Sequence, residues 1–199
     1  MIAYMTTTPI NLSDQLLEQC AKGDEKSHYL LYRMCYNTIR SICVRYTKVD
    51  EEIRSYHNLA FMKVLQHLHQ YRTEVSFEYW VRRVSINVII DEFRKQQRER
   101  EKVSYHDFAM QPLNEKVDYN MGETAFDTEQ LEQFIHQLPP MTQKVFNLFA
   151  IDGYSHKEVA TLLNMSEGTS KWHLSSAREA LKKMILNTTP TQKRKNNNK

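Results

Sequence analysis

The chain has 199 residues, with 27 Lys and Arg against 24 Asp and Glu, a formal net charge of +3. That length holds one large or two small domains, and no apolar run approaches the 18 residues that a membrane-spanning helix needs. Four Gly and five Pro point to helices with few tight turns. The three cysteines, Cys20, Cys35 and Cys43, are odd in number and lack CxxC spacing, so they are expected to be buried apolar residues in a reducing compartment. Met1 to Pro9 has neither the basic start nor the apolar core of a signal peptide, which leads to the expectation of a cytoplasmic protein.

In chain order, Ser13 is a helix N-cap, and Leu16, Leu17 and Cys20 form one short apolar face before Gly23-Asp24. A second helix is expected to run through Tyr29, Leu30, Tyr32, Arg33, Tyr36, Ile39, Ile42, Cys43 and Tyr46. A third spans about Glu51 to Gln70, with Leu59, Met62, Leu65 and Leu68 at helical spacing, and breaks at Tyr71-Arg72-Thr73. Ser76 starts the longest helix, Phe77 to about Arg98. At 100° per residue, Phe77, Val81, Val84 and Val88 line its core side, while Arg83, Asn87, Ile90 and Arg94 share a flank next to Trp80. Cations, an amide and an exposed apolar group on one flank fit phosphates and an unstacked base; they equally fit a solvated face with a satisfied Asn.

Val103 to Thr128 has no sustained period, several acids, Pro112 and Gly122, and reads as an extended linker. Residues 99–128 carry 7 acidic against 3 basic side chains, whereas residues 1–98 carry 14 basic against 11 acidic, so an acidic middle separates two helical parts. Helical pattern resumes with Leu131, Phe134, Ile135 and Leu138, stops at Pro139-Pro140, and restarts near Thr142 with Val145, Phe146 and Leu148-Phe149. The residues from Thr188 on carry four cations and no acid, as expected of a disordered basic tail.

Residues 153–174 are the most informative. Ser155 and Glu158 form a capping box; Val159, Ala160, Leu162 and Leu163 give an apolar face; Asn164 suits a left-handed helix end; Ser166 caps the next helix. A helix, a tight turn and a second helix make the DNA-reading helix-turn-helix unit. On the second helix, Ser170, Leu174, Ala177, Leu181 and Ile185 form the buried stripe by angle. Trp172, Ser175, Ser176 and Glu179 lie opposite, where short hydroxyls reach base edges, or where Trp172 packs on a neighbouring domain.

Two segments then carry a family resemblance. Phe77, Trp80, Val81, Arg83, Val84, Asn87, Asp91, Arg94 and Lys95 match F-x-x-W-L-x-R-I-x-x-N-x-x-x-D-x-x-R-K, and Leu138-Pro139 with Gly153 to Lys171 matches L-P-x-x-x-R-x-V-F and G-x-S-x-x-E-I-A-x-x-L-x-x-S-x-G-T-V-K. The chain resembles the extracytoplasmic-function (ECF) sigma factors of bacterial RNA polymerase, over about residues 12–98 and 129–186. The resemblance implies an all-α protein: a four-helix N-terminal domain at 12–98, a linker at 99–128, a helix-turn-helix domain at 129–187 and a tail at 188–199. It implies that Arg83, Asn87 and Arg94 contact the minus-ten promoter element, Asn87 holding a base turned out of the stack; Trp80 either wedges there or belongs to the core. It places minus-thirty-five contacts at Lys171, Trp172, Ser175, Ser176 and Arg178, with Thr169 near a phosphate; by angle Arg178 sits nearer the core stripe, so its role is structural or phosphate-binding. Polymerase binding is assigned to the third helix, at Asn58, Phe61, Met62 and Lys63, although Ser55-Tyr56-His57-Asn58-Leu59 replaces the family's acidic D-x-V-Q-E segment. Ser170 stands where the second motif usually has Val.

The implied partners are double- and single-stranded promoter DNA, core RNA polymerase and, as a candidate, an anti-sigma factor, with no membrane insertion. The rival reading is a stand-alone helix-turn-helix regulator, which leaves the first domain's motif unexplained. No enzyme is expected: the eight His form no HExxH, His67 and His69 point away from each other on a helix, and no Gly-rich phosphate loop, metal site or cofactor motif is present in the sequence.

Overall fold

The structure, a computed structural model, describes residues 13–103 and 128–188. Two compact units divide the chain, one built on the helices before residue 110 and one on those after it.

In the first unit, Ser13 caps α1 (Asp14–Ala21) by accepting the Leu16 N–H at 3.2 Å. Asp24 caps α2 (Glu25–Tyr46), accepting from the Ser27 N–H at 2.8 Å and its hydroxyl at 2.7 Å, and these two bonds hold its carboxyl below the ordinary pKa. Helix α3 (Asp50–His67) tightens into a 3₁₀ turn at Leu68–Gln70, and α4 (Phe77–Val103) starts where the Ser76 hydroxyl accepts the Tyr79 N–H. Helix α4 packs on both α2 and α3, which also pack on each other.

That wedged position decides which side chains are buried. A helix lying on one neighbour hides one stripe; a helix between two hides more than half its circumference. So α4 buries Phe77, Val81 and Val88 as expected and also Ile86, Ile89 and Ile90, while Val84 is only half-buried. Ile90, expected as an exposed apolar group on the flank, is fully buried. Helix α3 likewise buries Ile53, Tyr56, His57, Ala60 and Val64, and turns Leu59 and Met62, two of the apolar residues at helical spacing, to solvent. On α2 the core begins at Leu31 and runs through Cys35, Ile39, Ile42, Cys43 and Tyr46, whereas Tyr29, Leu30 and Tyr36 are exposed. All three cysteines are buried free thiols; burial pushes Cys35 and Cys43 up to about 12, which keeps them protonated and inert. Helix α4 extends five residues into the expected linker; the remainder of that linker, residues 104–127, and the tail after Thr188 lie outside the described residues.

The second unit starts with α5 (Thr128–Gln137). Pro139 is extended and Pro140 opens α6 (Pro140–Phe146), where its fixed φ and missing N–H are tolerated. Helix α6 widens into a π turn at Asn147–Ile151, then α7 (His156–Leu163) and α8 (Glu167–Thr188) follow. Phe134 and Ile135 of α5 and Leu138 just after it meet Ala177 and Leu181 of α8 in the core. Buried polar groups pin α6 to its neighbours: the Thr142 hydroxyl lies 3.0 Å from Nδ1 of His173 on α8, and Gln143 lies 3.1 Å from Nδ1 of His136 on α5.

Gly153 leads into the helix-turn-helix at φ 78, where a Cβ would meet no neighbour within 4 Å. The cost of a side chain there is therefore conformational alone. Gly153→Ala is expected to destabilise the second unit by about 1–2 kcal/mol, read as a lower urea midpoint in Trp172 fluorescence in a Trp80→Phe background.

Candidate nucleic-acid interface

The helix-turn-helix is assembled by local bonds. The Ser155 N–H donates to Glu158 Oε2 at 2.8 Å and the Glu158 N–H donates to Ser155 Oγ at 3.3 Å, closing the capping box that starts α7. Asn164 ends α7 with φ 53, and the Met165 N–H reaches back to the Ala160 carbonyl at 3.0 Å. Ser166 Oγ then accepts the Thr169 N–H at 3.0 Å and sits 2.8 Å from the Thr169 hydroxyl, which caps α8.

Helix α8 buries Ser170, Leu174, Ala177 and Leu181 along one stripe. The flank next to that stripe is a ridge of Lys171, Ser175, Arg178 and Lys182, all exposed and spaced four, three and four residues apart. Arg178 is exposed with this ridge rather than buried with the core stripe. Trp172 and Ser176 are half-buried on the shoulder, the indole packed edge-to-face on His173 with ring centroids 4.8 Å apart. Thr169 is half-buried, and its hydroxyl belongs to the cap. A cationic ridge carrying one short hydroxyl on a capped helix can hold phosphates and touch a base edge in a major groove. Burial holds His173 below the ordinary imidazole pKa, so it packs neutral.

In the first unit, the end of α3 and the middle of α4 enclose a cleft of about 460 Å³, lined by Lys63, His67 and Gln70 on one side and Trp80, Arg83, Val84, Asn87, Val88 and Asp91 on the other. Asn87 is exposed at its wall, its amide offering an acceptor oxygen and an NH2 donor to a base edge. Arg83 donates from Nη1 to the Tyr79 hydroxyl at 3.0 Å and lies 5.9 Å from that ring centroid, so an exposed tyrosine orients it. Arg94 lies 3.7 Å from the exposed Asp91 carboxylate, a pair of little strength that leaves its charge for a phosphate. Trp80 joins Tyr71 and Phe77 in an aromatic trio with centroids 5.1–5.7 Å apart, which makes it part of the packed wall. The flank thus keeps Arg83, Asn87 and Arg94 together and loses Ile90 to the core.

Of the residues expected to meet a protein partner, Asn58, Met62 and Lys63 are exposed on α3 and Phe61 is half-buried against Tyr32, edge-to-face at 5.0 Å. Sequence reading missed that the α2 tyrosines continue this surface: Tyr32 also packs edge-to-face on Tyr36 and His57, and Tyr29 is 64% exposed. The spacing of Tyr29, Tyr32 and Tyr36, three and four residues apart on one helical face, was the available signal. Among the described residues no group of three or more metal-ligating side chains gathers, and no helix is long and apolar enough to cross a membrane.

The model of Sigma-70 region 2 matches residues 31–99, and that of Sigma-70, region 4 matches residues 128–181. The chain is 24% identical over 188 residues to the ECF RNA polymerase sigma-E factor of Haemophilus influenzae, covering 87% of this chain and 96% of that protein. It is 25% identical over 178 residues to the RNA polymerase sigma-H factor of Pseudomonas aeruginosa, covering 86% and 92%. A solved structure of the sigma factor RpoE in complex with the anti-sigma factor NepR from Bartonella quintana aligns with TM-score 0.49 and 17% identity over 82% of this chain and 97% of that chain.

Proposed function

Because the chain belongs to the sigma-70 family, in its extracytoplasmic-function group, we propose that its two helical units grip one promoter at two elements. The chain is a sigma factor that directs bacterial RNA polymerase to specific promoters and initiates DNA-templated transcription; it is not an enzyme. The α8 ridge takes the minus-thirty-five element, with Lys171 and Arg178 on phosphates, Ser175 on a base edge, Trp172 and Ser176 on the shoulder of the groove, and Thr169 near a phosphate at the helix start. The α4 flank takes the minus-ten element: Asn87 reads an extruded base beside the cleft, Arg83 and Arg94 hold phosphates, and Trp80 is the aromatic wall behind them.

Core polymerase docks on the α2/α3 face, at Asn58, Phe61, Met62 and Lys63, with the tyrosines of α2 extending the contact. Its aromatic character takes the place of the acidic segment that the family pattern has in this helix. An anti-sigma factor is the class of partner that would silence the protein by covering one of these surfaces, and the cytoplasm, where polymerase and DNA meet, is its place of work. The observation that carries the two-grip reading is the pairing in one chain of an exposed Asn beside a cleft on α4 with an exposed cationic ridge on a capped α8. Adding the protein to sigma-free core polymerase is expected to give transcripts with definite start sites from a genomic fragment library. Absence of any such transcript overturns it.

A further inference from the structure

His156, the first residue of α7, carries two contacts that the DNA-reading surface described above does not use. Its ring stacks on Phe149 with centroids 4.2 Å apart and planes 22° apart, and its Nδ1 lies 2.9 Å from Ser170 Oγ. Ser170 is fully buried in the core stripe of α8, at the position where the resembling motif has Val. A hydroxyl in that stripe needs a partner, and His156 supplies it, tying the first turn of α7 to the first turns of the reading helix. Nε2, on the other edge of the ring, has no protein partner among the described residues, and the residue is partly exposed. The charged groups acting on it from α8 are Lys171 and Arg178 of the cationic ridge and Glu167 of the first turn. The Phe149 segment, residues 147–151, has no charged side chain; on α7, Lys157 follows it and Glu158 is engaged in the Ser155 cap.

We propose that His156 serves the minus-thirty-five grip twice: through Nδ1 it positions the reading helix, and through Nε2–H it donates to a backbone phosphate of promoter DNA, a bond that protonation of the ring strengthens by adding a positive charge. This rests on the assignment of α8 to the minus-thirty-five element. The Ser170 contact survives protonation, because a hydroxyl that donates to a neutral Nδ1 can rotate and accept from Nδ1–H of the imidazolium. A valine in that place offers no such exchange.

In the free protein, burial first and then Lys171 and Arg178 hold His156 below the ordinary imidazole pKa. A phosphate at Nε2 acts in the opposite direction and favours the cation. The complex therefore binds more protons than the free protein between the lower free pKa and the higher bound one, and affinity rises as pH falls through that window. Below the free pKa the gain is complete and levels off.

The test uses the full chain reconstituted with core polymerase and a promoter fragment that the same holoenzyme selects from genomic DNA. Wild type is expected to bind about three- to tenfold more tightly at about pH 6 than at about pH 8, the limit being tenfold per pH unit for one proton. Its salt dependence should steepen by about 0.9 of a log–log slope unit at the lower pH, as one phosphate contact becomes charged. His156→Gln, which keeps a hydrogen-bonding group toward Ser170 and carries no charge, should lose both changes, and His156→Lys, charged throughout this range, should show no pH response and keep the steeper salt slope at about pH 8. The same pH and salt response in wild type and His156→Gln overturns the phosphate contact. Ser170→Val should lower the ratio of promoter to random-duplex binding several-fold and keep the pH response; an unchanged ratio overturns the positioning role. A holoenzyme that selects no fragment at all instead defeats the two-grip reading on which the inference rests.

Discussion

Asn87→Ala is expected to leave closed-promoter binding by the holoenzyme within about threefold and to reduce strand opening about ten- to a hundredfold, the range that corresponds to one lost bidentate base contact of about 1–3 kcal/mol. The split follows from where the side chain sits. Asn87 is exposed beside the α3/α4 cleft, so its amide has nothing to hold in the folded chain and has a base to hold only after that base leaves the stack. In the two-grip proposal, docking depends on phosphate contacts by Arg83, Arg94 and the α8 ridge, which the substitution leaves in place. Stability should move by less than about 0.5 kcal/mol, as for exposed substitutions in general. Asn87→Asp keeps the shape, loses the donor and adds a second carboxylate one turn from Asp91, so it should be no better than Ala. Permanganate reactivity of unpaired thymines reports opening, and gel shift at low temperature reports docking. Equal losses in the two assays would remove Asn87 from base holding.

What the sequence made legible was what its neighbours in the chain determine. The Ser155–Glu158 box, the left-handed Asn164 and the Ser166 cap appear where they were expected, because each bond spans three or four residues and owes nothing to distant packing. The buried stripe Ser170–Leu174–Ala177–Leu181 was legible for a related reason, since α8 turns one side to its unit. Residues whose burial depends on which helices lie alongside were not. Tyr56 and His57 are polar by type and buried in fact, His57 within 3.4 Å of the Tyr36 carbonyl, while apolar Leu59 and Met62 face outward. Ring burial and that carbonyl act against each other on His57, and burial wins, lowering its pKa and keeping it neutral in the core. The π turn at Asn147–Ile151 had no signal either. It depends on the Asp152 N–H bonding the Asn147 carbonyl, a choice made by how α6 meets the Gly153 turn.

Ile90→Ala should be the opposite of Asn87→Ala, although the two residues lie three apart on one helix. Ile90 is fully buried where α4 is held between α2 and α3, so removing its side chain leaves a cavity that cannot collapse without moving a helix. The expected loss is about 2–5 kcal/mol, and Ile90→Val should cost about 0.5–1.5 kcal/mol. Urea unfolding followed by Trp80 fluorescence in a Trp172→Phe background measures both, with an unchanged m-value showing that the effect lies in the native state. Because the same three helices form the α3/α4 cleft and the α2/α3 face, polymerase binding and strand opening should fall together in Ile90→Ala, whereas Asn87→Ala separates opening from docking. A loss below about 0.5 kcal/mol would return Ile90 to the surface flank. Two substitutions one turn apart thus distinguish a residue that holds the helix from one that the helix holds out to DNA.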